Sequence, residues 1–400
     1  MTINVTKYSH FLEQVAREID IPPGKYKDAV DRYESVGRWL GDGECPECSG
    51  ELSIYPQGSF PLGTVVRPIR NGLEASYDID LVCEIPLRKD QTDPQSVRSM
   101  VGDRLRERGT YKKLLDEEGK RCWTLEYAEQ DGVGFHLDVL PAVSDPRGLL
   151  GTSIAITNKK GSAYSWSASN PKGYGLWFDS KNATAFEKAV FEQKQAIQRR
   201  APYIYESIDN VPDQLVRTPL QRAIQLMKRH RDLRFNHNER LEYAPISIII
   251  TTLSAHLYGN EADIYSALSG IVGRLHAHAA LVEGKAIDRS LGSMGLIQRT
   301  PNGKWYIGNP VNTDENFADR WHDDNHARAR AFFSWVDALQ EDLVNILSET
   351  NPRLLKEHLS GALGARAVSK NFEVIVPPEV DIQSPPRIHI TGAAKPWRTE

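Results

Sequence analysis

The sequence predicts a mixed α and β protein, with an α/β region in its first half and a helical region in its second. Residues 81–85 and 135–140 are short apolar runs, which indicate strands. The polar segment over residues 101–118 between them has the composition of a helix, and strands interleaved with helices are typical of an α/β lobe. From about Glu187 onward the apolar residues recur with helical spacing instead.

The remaining segments differ from one another in composition. Residues 5–20 and 25–40 have helical patterns, and the glycines at 41 and 43 end the second helix. Residues 152–182 are rich in Ser, Gly, Asn and aromatic residues without a regular period, so we expect a long ordered loop there. Further helices are expected from Pro245 and over residues 327–348. After Phe372 the chain is rich in proline, which favours a flexible tail.

The balance of charge limits the possible partners. Lys and Arg number 49 and Asp and Glu 53, so the net charge is −4 and no basic excess favours the coating of a long nucleic acid. The longest apolar stretch, residues 246–253, is far shorter than the roughly 20 residues that span a bilayer, and the N-terminus does not resemble a signal peptide. We therefore expect a cytoplasmic enzyme that binds no membrane and does not require nucleic acid.

Two of the four cysteines raise the question of a metal site. Cys45 and Cys48 have the spacing of half a structural zinc site. No second pair of Cys or His follows at the usual spacing, so reduced thiols are the favoured interpretation.

The most informative segment of the chain carries paired carboxylates. Asp78 and Asp80 are two residues apart on a predicted strand, so their side chains share one face of it. Two carboxylates that point together repel unless a cation lies between them, and Mg²⁺ binds carboxylates together with substrate phosphates. Asp138 lies within another apolar strand, where a charge requires a partner or a metal ion. Three carboxylates on adjacent strands would form a two-metal site for in-line phosphoryl displacement.

Gly58 and Ser59, upstream of these carboxylates, form a candidate phosphate cradle. Glycine lets the backbone approach a phosphate closely, and exposed N–H groups with the serine hydroxyl can hold a triphosphate. Neither Gly-Ser nor Asp-x-Asp is specific alone, since the first is usually a turn and the second is common. Followed by a third carboxylate on a strand, the combination predicts a nucleotidyltransferase.

A second candidate phosphate contact lies in the helical region. The apolar residues between 220 and 227 fall on one face of a helix, and Lys228 lies at the edge of its polar face, free to reach a polyanion. Between residues 194 and 240 the chain has ten basic and five acidic residues. The plain alternatives are a solvated helix face for Lys228 and, for Ser247, a serine that satisfies its own helix start.

These motifs resemble the DNA polymerase β-like nucleotidyltransferase superfamily. Within it, the chain is similar to the bacterial relatives of cyclic GMP–AMP synthase and of the oligoadenylate synthases, which are the second-messenger synthases of anti-phage signalling. The resemblance extends over about residues 55–325. It is carried by Gln57-Gly58-Ser59, Asp78-Ile79-Asp80, Asp138, the segments 226–232 and 245–247, Asn309-Pro310-Val311-Asn312, the segment 315–317 and Trp321.

The resemblance implies an α+β, bilobed fold with a central active-site cleft. N-terminal helices over residues 1–45 would brace both lobes, followed by a catalytic lobe over 46–215, a helical lobe over 216–372 and the tail over 373–400. The implied catalytic residues and metal ligands are Asp78, Asp80 and Asp138, which would hold two Mg²⁺ ions, or Mn²⁺ in their place. The implied substrate contacts are Gln57, Gly58 and Ser59 to the donor phosphates, Lys228 and Ser247 to the triphosphate, and Asn309 near the bound nucleotide.

The implied reaction joins ATP and GTP into a cyclic dinucleotide such as cyclic GMP–AMP, or into a trinucleotide, and releases pyrophosphate. A linear product, transfer to tRNA or protein, and a nucleotide-binding module without catalysis stay open as alternatives. The sequence does not define the bases, the linkage or the activating signal. Tyr164, Trp177 and Tyr306 are candidates for base stacking. The tail from Pro377 is a candidate docking segment for a regulatory protein.

Overall fold

The computed structural model describes residues 3–43, 51–70, 73–130, 133–146, 151–236, 241–285 and 295–377. Cys45, Cys48 and the Pro-rich tail beyond residue 377 lie outside the described residues. The choice between a zinc half-site and reduced thiols concerns these two cysteines and stays a prediction. Within the described part of the chain, none of the helices combines the length and the apolar composition that crossing a bilayer requires.

Helices and strands alternate in the first half of the chain, and helices dominate the second. The helices are α1 (Val5–Ile19), α2 (Pro23–Gly41), α3 (Pro94–Glu107), α4 (Gly109–Leu114), α5 (Pro171–Arg200), α6 (Pro219–Arg234), α7 (Ser247–Leu257), α8 (Ile264–His276), α9 (Ala327–Leu339), α10 (Pro352–Leu363) and α11 (Ala365–Asn371). The strands are β1 (Ser53–Gln57), β2 (Ile69–Arg70), β3 (Leu73–Glu74), β4 (Tyr77–Arg88), β5 (Trp123–Gln130), β6 (Val133–Ser144), β7 (Ile154–Lys160), β8 (Ala163–Ser169), β9 (Gln298–Arg299), β10 (Trp305–Tyr306), β11 (Gly308–Asn309) and β12 (Asn312–Asn316).

A six-stranded mixed sheet forms the first lobe, in the order β1-β4-β6-β7-β8, with β5 paired to β6 outside this path. The central strands β4 and β6 run parallel, whereas β1, β5, β7 and β8 pair antiparallel to their neighbours. Side chains alternate along β4 between a buried face, which includes Ile79 and Leu81, and a more exposed face. Helices α2 and α3 cover the buried face, so the carboxylates at positions 78 and 80 lie on the other one.

The expectation of a long loop over residues 152–182 is wrong. This segment forms the hairpin β7–β8 and the first turns of α5. Tyr164 and Trp166 alternate with serines along β8, which is the two-residue period of an edge strand. Asn170 caps α5 by accepting from the Gly173 N–H (3.0 Å), and Pro171 occupies the first helical turn, so the helix begins well before the expected Glu187.

The second lobe is a helical bundle. Helices α6 to α11 bury their apolar faces in one core, which also contains Trp305, Trp321 and Trp335. The helix expected over residues 327–348 consists of α9, a π-helical turn (Gln340–Val344) and a 3₁₀ turn (Asn345–Ser348).

The two N-terminal helices belong to different cores. Helix α1 buries Phe11, Leu12 and Val15 in the core of the helical lobe. Helix α2 buries Tyr26 and Val36 in the core of the sheet lobe. The N-terminal pair therefore contacts both lobes, and the short segment between its helices crosses from one lobe to the other.

Candidate active site

Three carboxylates project from one face of the central strands. Asp80 on β4 stands directly opposite Asp138 on β6, and Asp78 stands opposite His136. Neighbouring strands lie about 4.8 Å apart and paired residues point to the same side, so Asp78, Asp80 and Asp138 share one patch of the sheet. The hydroxyl of Thr124 on β5 donates to Asp138 Oδ1 at 2.5 Å. His136 Nδ1 lies 3.2 Å from Asp78 Oδ1.

The electrostatics of this patch favour a cation. Burial, together with repulsion from Asp138 and Asp78, raises the pKa of the Asp80 carboxyl to about 7. Within the described residues, no three His, Cys, Asp or Glu side chains converge closely enough to hold a metal ion as they stand. Carboxylate oxygens on one patch are nevertheless the donor set that Mg²⁺ prefers, and a divalent ion would remove the repulsion that raises the pKa of Asp80.

The Gly-Ser turn lies directly against these carboxylates. Gln57, the last residue of β1, pairs with Asp80, and the chain turns at Gly58 with a φ of +72°. A Cβ at position 58 would lie 2.7 Å from Asp80 Oδ2, so only glycine fits between the turn and the carboxylate. The carbonyl of Ser59 accepts a hydrogen bond from the Thr64 N–H at 3.0 Å, which closes the loop that follows. A ligand that contacts this turn is therefore also close to Asp80.

Helix α6 holds the segment that follows the turn. Three of its polar side chains, spaced one helical turn apart on one face, donate to backbone carbonyls of residues 62–65. The bonds run from Gln221 Nε2 to Leu62 O (2.9 Å), from Gln225 Nε2 to Val65 O (2.8 Å) and from Lys228 Nζ to Thr64 O (3.1 Å). These three side chains therefore neither face solvent nor point freely into the cleft, because they form a contact between the two lobes.

The contacts of Lys228 correct the prediction made from the sequence. Its side chain is only 3% exposed and also donates to Thr64 Oγ1 at 3.0 Å, so it is not free to reach a polyanion in this structure. Burial, aided by the nearby positive charge of Arg231, lowers the pKa of its ammonium group to about 7. In this conformation Lys228 supports the backbone behind the Gly-Ser turn.

Ser247 and Asn309 lie in different surroundings. Ser247 is the first residue of α7, where its hydroxyl accepts from Arg231 Nη1 at 2.9 Å. Asn309 is buried; it donates to Glu315 Oε2 at 2.8 Å and accepts from the Val311 N–H at 3.0 Å. These bonds tie Ser247 to α6 and hold the β11–β12 ribbon in shape.

A cleft of about 1160 Å³ separates the two lobes beside the carboxylates. Gln57 and Gly58 line its sheet side, the start of α5 lines one flank, and residues 242–246 with Ile248 and Asn309 line the helical side. Neither Lys228 nor Ser247 belongs to its lining. The cleft is large enough for nucleotides and opens next to the Gly-Ser turn. Of the predicted site residues, Gln57, Gly58 and Asn309 line it, whereas Ser59 and the three carboxylates do not. Asp80 lies directly behind Gly58.

The expected stacking residues lie elsewhere. Tyr164 binds Glu118, Trp177 packs against Tyr174 and His256, and the Tyr306 hydroxyl donates to the Thr313 carbonyl. The aromatic side chains that line the cleft are instead Tyr55, Tyr174, Tyr243, Phe317, Trp321 and Phe332.

Sequence reasoning also missed Thr124 and Asp179. Thr124 and Asp138 are paired across β5 and β6, so their side chains point to the same face of the sheet. This pairing depends on the register of the two strands, which the sequence does not show. Asp179 lines the cleft on α5, a helix that had been expected to begin only later in the chain.

Comparisons with known proteins agree with this arrangement. Residues 53–141 match the family model described as the nucleotidyltransferase domain of cyclic GMP-AMP synthase DncV-like proteins. A c-di-GMP synthase of Roseivirga ehrenbergii is 31% identical over 346 residues, which cover 84% of this chain and 79% of that protein.

Solved structures show the same fold. The CdnG protein of Bradyrhizobium diazoefficiens, solved in complex with GTP, superimposes with a TM-score of 0.63 at 22% identity, covering 92% of this chain and 98% of that one. The CdnC protein of E. coli MS115-1, solved in a complex with HORMA, superimposes with a TM-score of 0.55 at 15% identity, covering 89% and 96%. The expectation of an α+β, bilobed fold with a central cleft is confirmed.

Proposed function

Because the chain belongs to the DncV-like family of cyclic oligonucleotide synthases, we propose that this nucleotidyltransferase joins two nucleoside triphosphates into a cyclic dinucleotide that contains guanine. The observation that carries the proposal is the placement of Asp80 against both Asp138 and the Gly58 turn, at the edge of an interlobe cleft. This arrangement brings a place for phosphate next to carboxylates that can hold metal ions.

The choice of bases rests on two considerations. The sequence resemblance favours cyclic GMP–AMP, whereas the Roseivirga ehrenbergii relative is named a c-di-GMP synthase. Guanine is common to both products, so GTP is the proposed substrate in either case, and ATP is the proposed second substrate if the product is mixed.

The side chains divide the reaction between them. Asp78, Asp80 and Asp138 would hold two Mg²⁺ ions, which when bound neutralise charge on the phosphates and on the attacking and leaving oxygens. Gly58 and Ser59 would contact the donor triphosphate through the turn that abuts Asp80. Thr124 donates to Oδ1 of Asp138 and thereby orients the carboxylate that would take the proton of the acceptor ribose hydroxyl.

The bonds exchanged are the same in both steps. The ribose oxygen forms a bond to the α-phosphorus, and the bond from that phosphorus to its bridging oxygen breaks, so that pyrophosphate leaves with the electron pair. In the second step the product's free ribose hydroxyl attacks its own remaining α-phosphorus and closes the ring. The cleft volume of about 1160 Å³ allows the linear intermediate to turn between the two steps.

The cellular role belongs to the same proposal. We place the enzyme in the cytoplasm, in anti-phage signalling, with the tail over residues 373–400 as a docking segment for a regulatory protein. The structural relative CdnC of E. coli is seen in a complex with HORMA, which supports regulation by a partner in this fold. A linear product, or transfer to tRNA or protein, is the alternative outcome of the test below.

Product analysis tests the proposal directly. Purified protein is incubated with the four labelled nucleoside triphosphates and Mg²⁺, the mixture is treated with phosphatase, and the products are resolved by chromatography and mass spectrometry. We expect a phosphatase-resistant product that contains guanine, because a cyclic dinucleotide has no terminal phosphate. Asp78→Asn should abolish it, since the substitution removes a metal ligand without changing the size of the side chain.

A matched control separates this effect from a general loss of acidic surface. Asp90, which lies after β4 and pairs with Arg88 away from the cleft, should tolerate the change to Asn with unchanged product formation. A product that phosphatase degrades would mean linear synthesis, and undiminished activity of Asp78→Asn would contradict the metal-site assignment.

A further inference from the structure

One face of helix α5 forms a flank of the cleft. Lys172, Gly175, Leu176 and Asp179 all line the cleft, and they are spaced at i, i+3, i+4 and i+7 along the helix. Lys172 lies at the sheet end, where its ammonium group contacts Glu84 Oε2 (3.1 Å) and the ring of Tyr55 (4.0 Å). The helix rises about 10 Å between Lys172 and Asp179. Lys172 on this face therefore contacts the sheet lobe, and Asp179 lies about two helical turns further along α5.

The Asp179 carboxylate lacks a partner. Among the described residues, no hydrogen bond or ion pair reaches it, and Asp179 is exposed where α5 lines the cleft. Desolvation by neighbouring protein atoms raises its pKa above the ordinary value for aspartate. Two other carboxylates of the cleft are engaged, since Glu315 accepts from Asn309 and Glu242 accepts from the hydroxyl of Tyr243. A carboxylate that is open to a cleft and has no protein partner among the described residues can accept hydrogen bonds from a ligand that brings donors.

The surroundings of Asp179 suit a flat ring. A Cβ at Gly175 would meet nothing within 4 Å, so the helix leaves open space one turn before the carboxylate. Leu176 on the same face is 70% exposed, and Ile246, which also lines the cleft, is 52% exposed. Large apolar side chains are seldom left open to water in a cleft unless a ligand covers them.

We infer that Asp179 is a specificity-determining residue, which accepts hydrogen bonds from the N1–H and N2–H₂ groups of one guanine base. Ionised aspartate only accepts, and guanine offers two adjacent donors on that edge. Adenine has an acceptor at N1 and a donor at N6, so a carboxylate meets one repulsive contact there. The inference rests on the proposed function for the identity of the ligand as a nucleotide, and it adds which residue selects the base.

The rigidity of α5 favours Asp179 over the other open carboxylates of the cleft. The Tyr174 hydroxyl is hydrogen-bonded to Thr252 on α7 at 2.8 Å, and Asn182 accepts from the Thr218 hydroxyl at the start of α6. Both contacts flank Asp179 and fix the helix against the helical lobe. Asp314 and Asp319, by contrast, lie on the two-stranded ribbon β11–β12 and on the turn that follows it. A recognition residue on a fixed helix holds its geometry more precisely than one on a short ribbon.

Binding of non-reacting nucleotides tests the inference without relying on turnover. The α,β-methylene analogues of GTP and ATP bind but cannot transfer, and their affinities are measured by titration calorimetry for the wild type, Asp179→Asn, Asp179→Glu and Asp314→Asn. Asp179→Asn should weaken the GTP analogue about tenfold or more without weakening the ATP analogue, because the amide opposes one guanine donor and complements adenine. Asp179→Glu keeps the carboxylate and should retain more of the guanine preference, and Asp314→Asn should bind both analogues as the wild type does.

Two results would overturn the inference. One is an Asp179→Asn protein that binds both analogues as the wild type does, and the other is an equal loss of both, which would indicate a general disturbance of the cleft. The proposed function is tested separately by product analysis. A wild type that forms no cyclic product would refute cyclic synthesis. If Asp179→Asn still weakened binding of the GTP analogue alone, the guanine contact would be supported nonetheless.

Discussion

Asp80 is held in an electrostatically unfavourable place, and this has a consequence for stability. Its pKa is about 7 in the folded protein and near 3.8 in the unfolded chain, so the folded state binds the extra proton between these values. Stability is therefore lost as the pH rises from about 4 to 7 in metal-free buffer. We expect Asp80→Asn to abolish turnover and to raise the free energy of unfolding by about 1–3 kcal/mol at pH 8.

Urea denaturation at pH 8 and pH 5 in the presence of EDTA measures this effect. The stabilisation should shrink at pH 5, where the wild-type carboxyl is mostly protonated. Equal stabilisation at both pH values would show that repulsion is not its source. Added Mg²⁺ should narrow the difference at pH 8 by stabilising the wild type, if the carboxylates hold the ion as proposed.

That Asp78, Asp80 and Asp138 share one face of the sheet could be predicted from the sequence, but the contacts of Lys228 could not. Asp78, Asp80 and Asp138 follow from side-chain alternation on strands, which is a local property. Lys228 was assigned to an open polar face because helical periodicity shows which residues share a face and not what covers it. Its partner, Thr64, lies 164 residues earlier in the chain. Only the tertiary structure reveals such a contact.

Arg98 organises the connection that leads into β5. Its guanidinium group is 1% exposed, pairs with Glu118 and donates to the carbonyls of Gly119 and Cys122. It thereby fixes the start of the strand that carries Thr124. We expect Arg98→Met to lower the free energy of unfolding by about 3–5 kcal/mol. The substitution leaves the Glu118 carboxylate and the carbonyls of Gly119 and Cys122 without their hydrogen-bond donor.

Arg106 on the same helix provides the control for that prediction. Its side chain is 44% exposed and pairs with exposed Asp103, so Arg106→Met should change stability by less than about 1 kcal/mol. Both variants are compared by urea denaturation at pH 7. Similar small losses in the two would mean that the loop before β5 is held by other contacts.

The hairpin β7–β8 shows where local reading of an element failed and where it could have succeeded. Frequent Ser, Gly and Asn residues over 152–182 gave the impression of a loop. An edge strand, however, needs only one apolar side, and Tyr164 and Trp166 supply it at every second position. The N-terminus of α5 could also be predicted from the sequence, since Asn170 and Pro171 are typical cap and first-turn residues.

At the level of the whole molecule, a buried ion cluster fastens α1 to the start of the helical lobe. Asp20 accepts from Arg217 Nε at 2.9 Å and from Arg222 Nη1 at 2.9 Å, and all three side chains are largely buried. We expect Asp20→Asn to destabilise the protein by about 3–5 kcal/mol, because buried Arg217 loses its counter-charge and Arg222 keeps only the longer contact with Glu13 at 3.4 Å.

Thermal or urea unfolding of Asp20→Asn should be compared with that of Glu18→Gln. Glu18 forms an exposed ion pair with Lys370, so its substitution should have an effect below about 1 kcal/mol. If Asp20→Asn unfolds like the wild type, the cluster does not fasten α1 to the start of the helical lobe.

The bonds from α6 to residues 62–65 also bear on how the enzyme is made. At about 5–20 residues per second, the ribosome releases the Gly58 turn roughly 10–30 seconds before it releases Lys228. The nascent sheet lobe can pair its strands in that interval, but the segment behind its Gly-Ser turn lacks the hydrogen bonds from α6 until that helix emerges. The strands of the proposed nucleotide site are therefore synthesised before the helix that supports its Gly-Ser turn. A chain that stalls before residue 219 should contain those strands but lack α6.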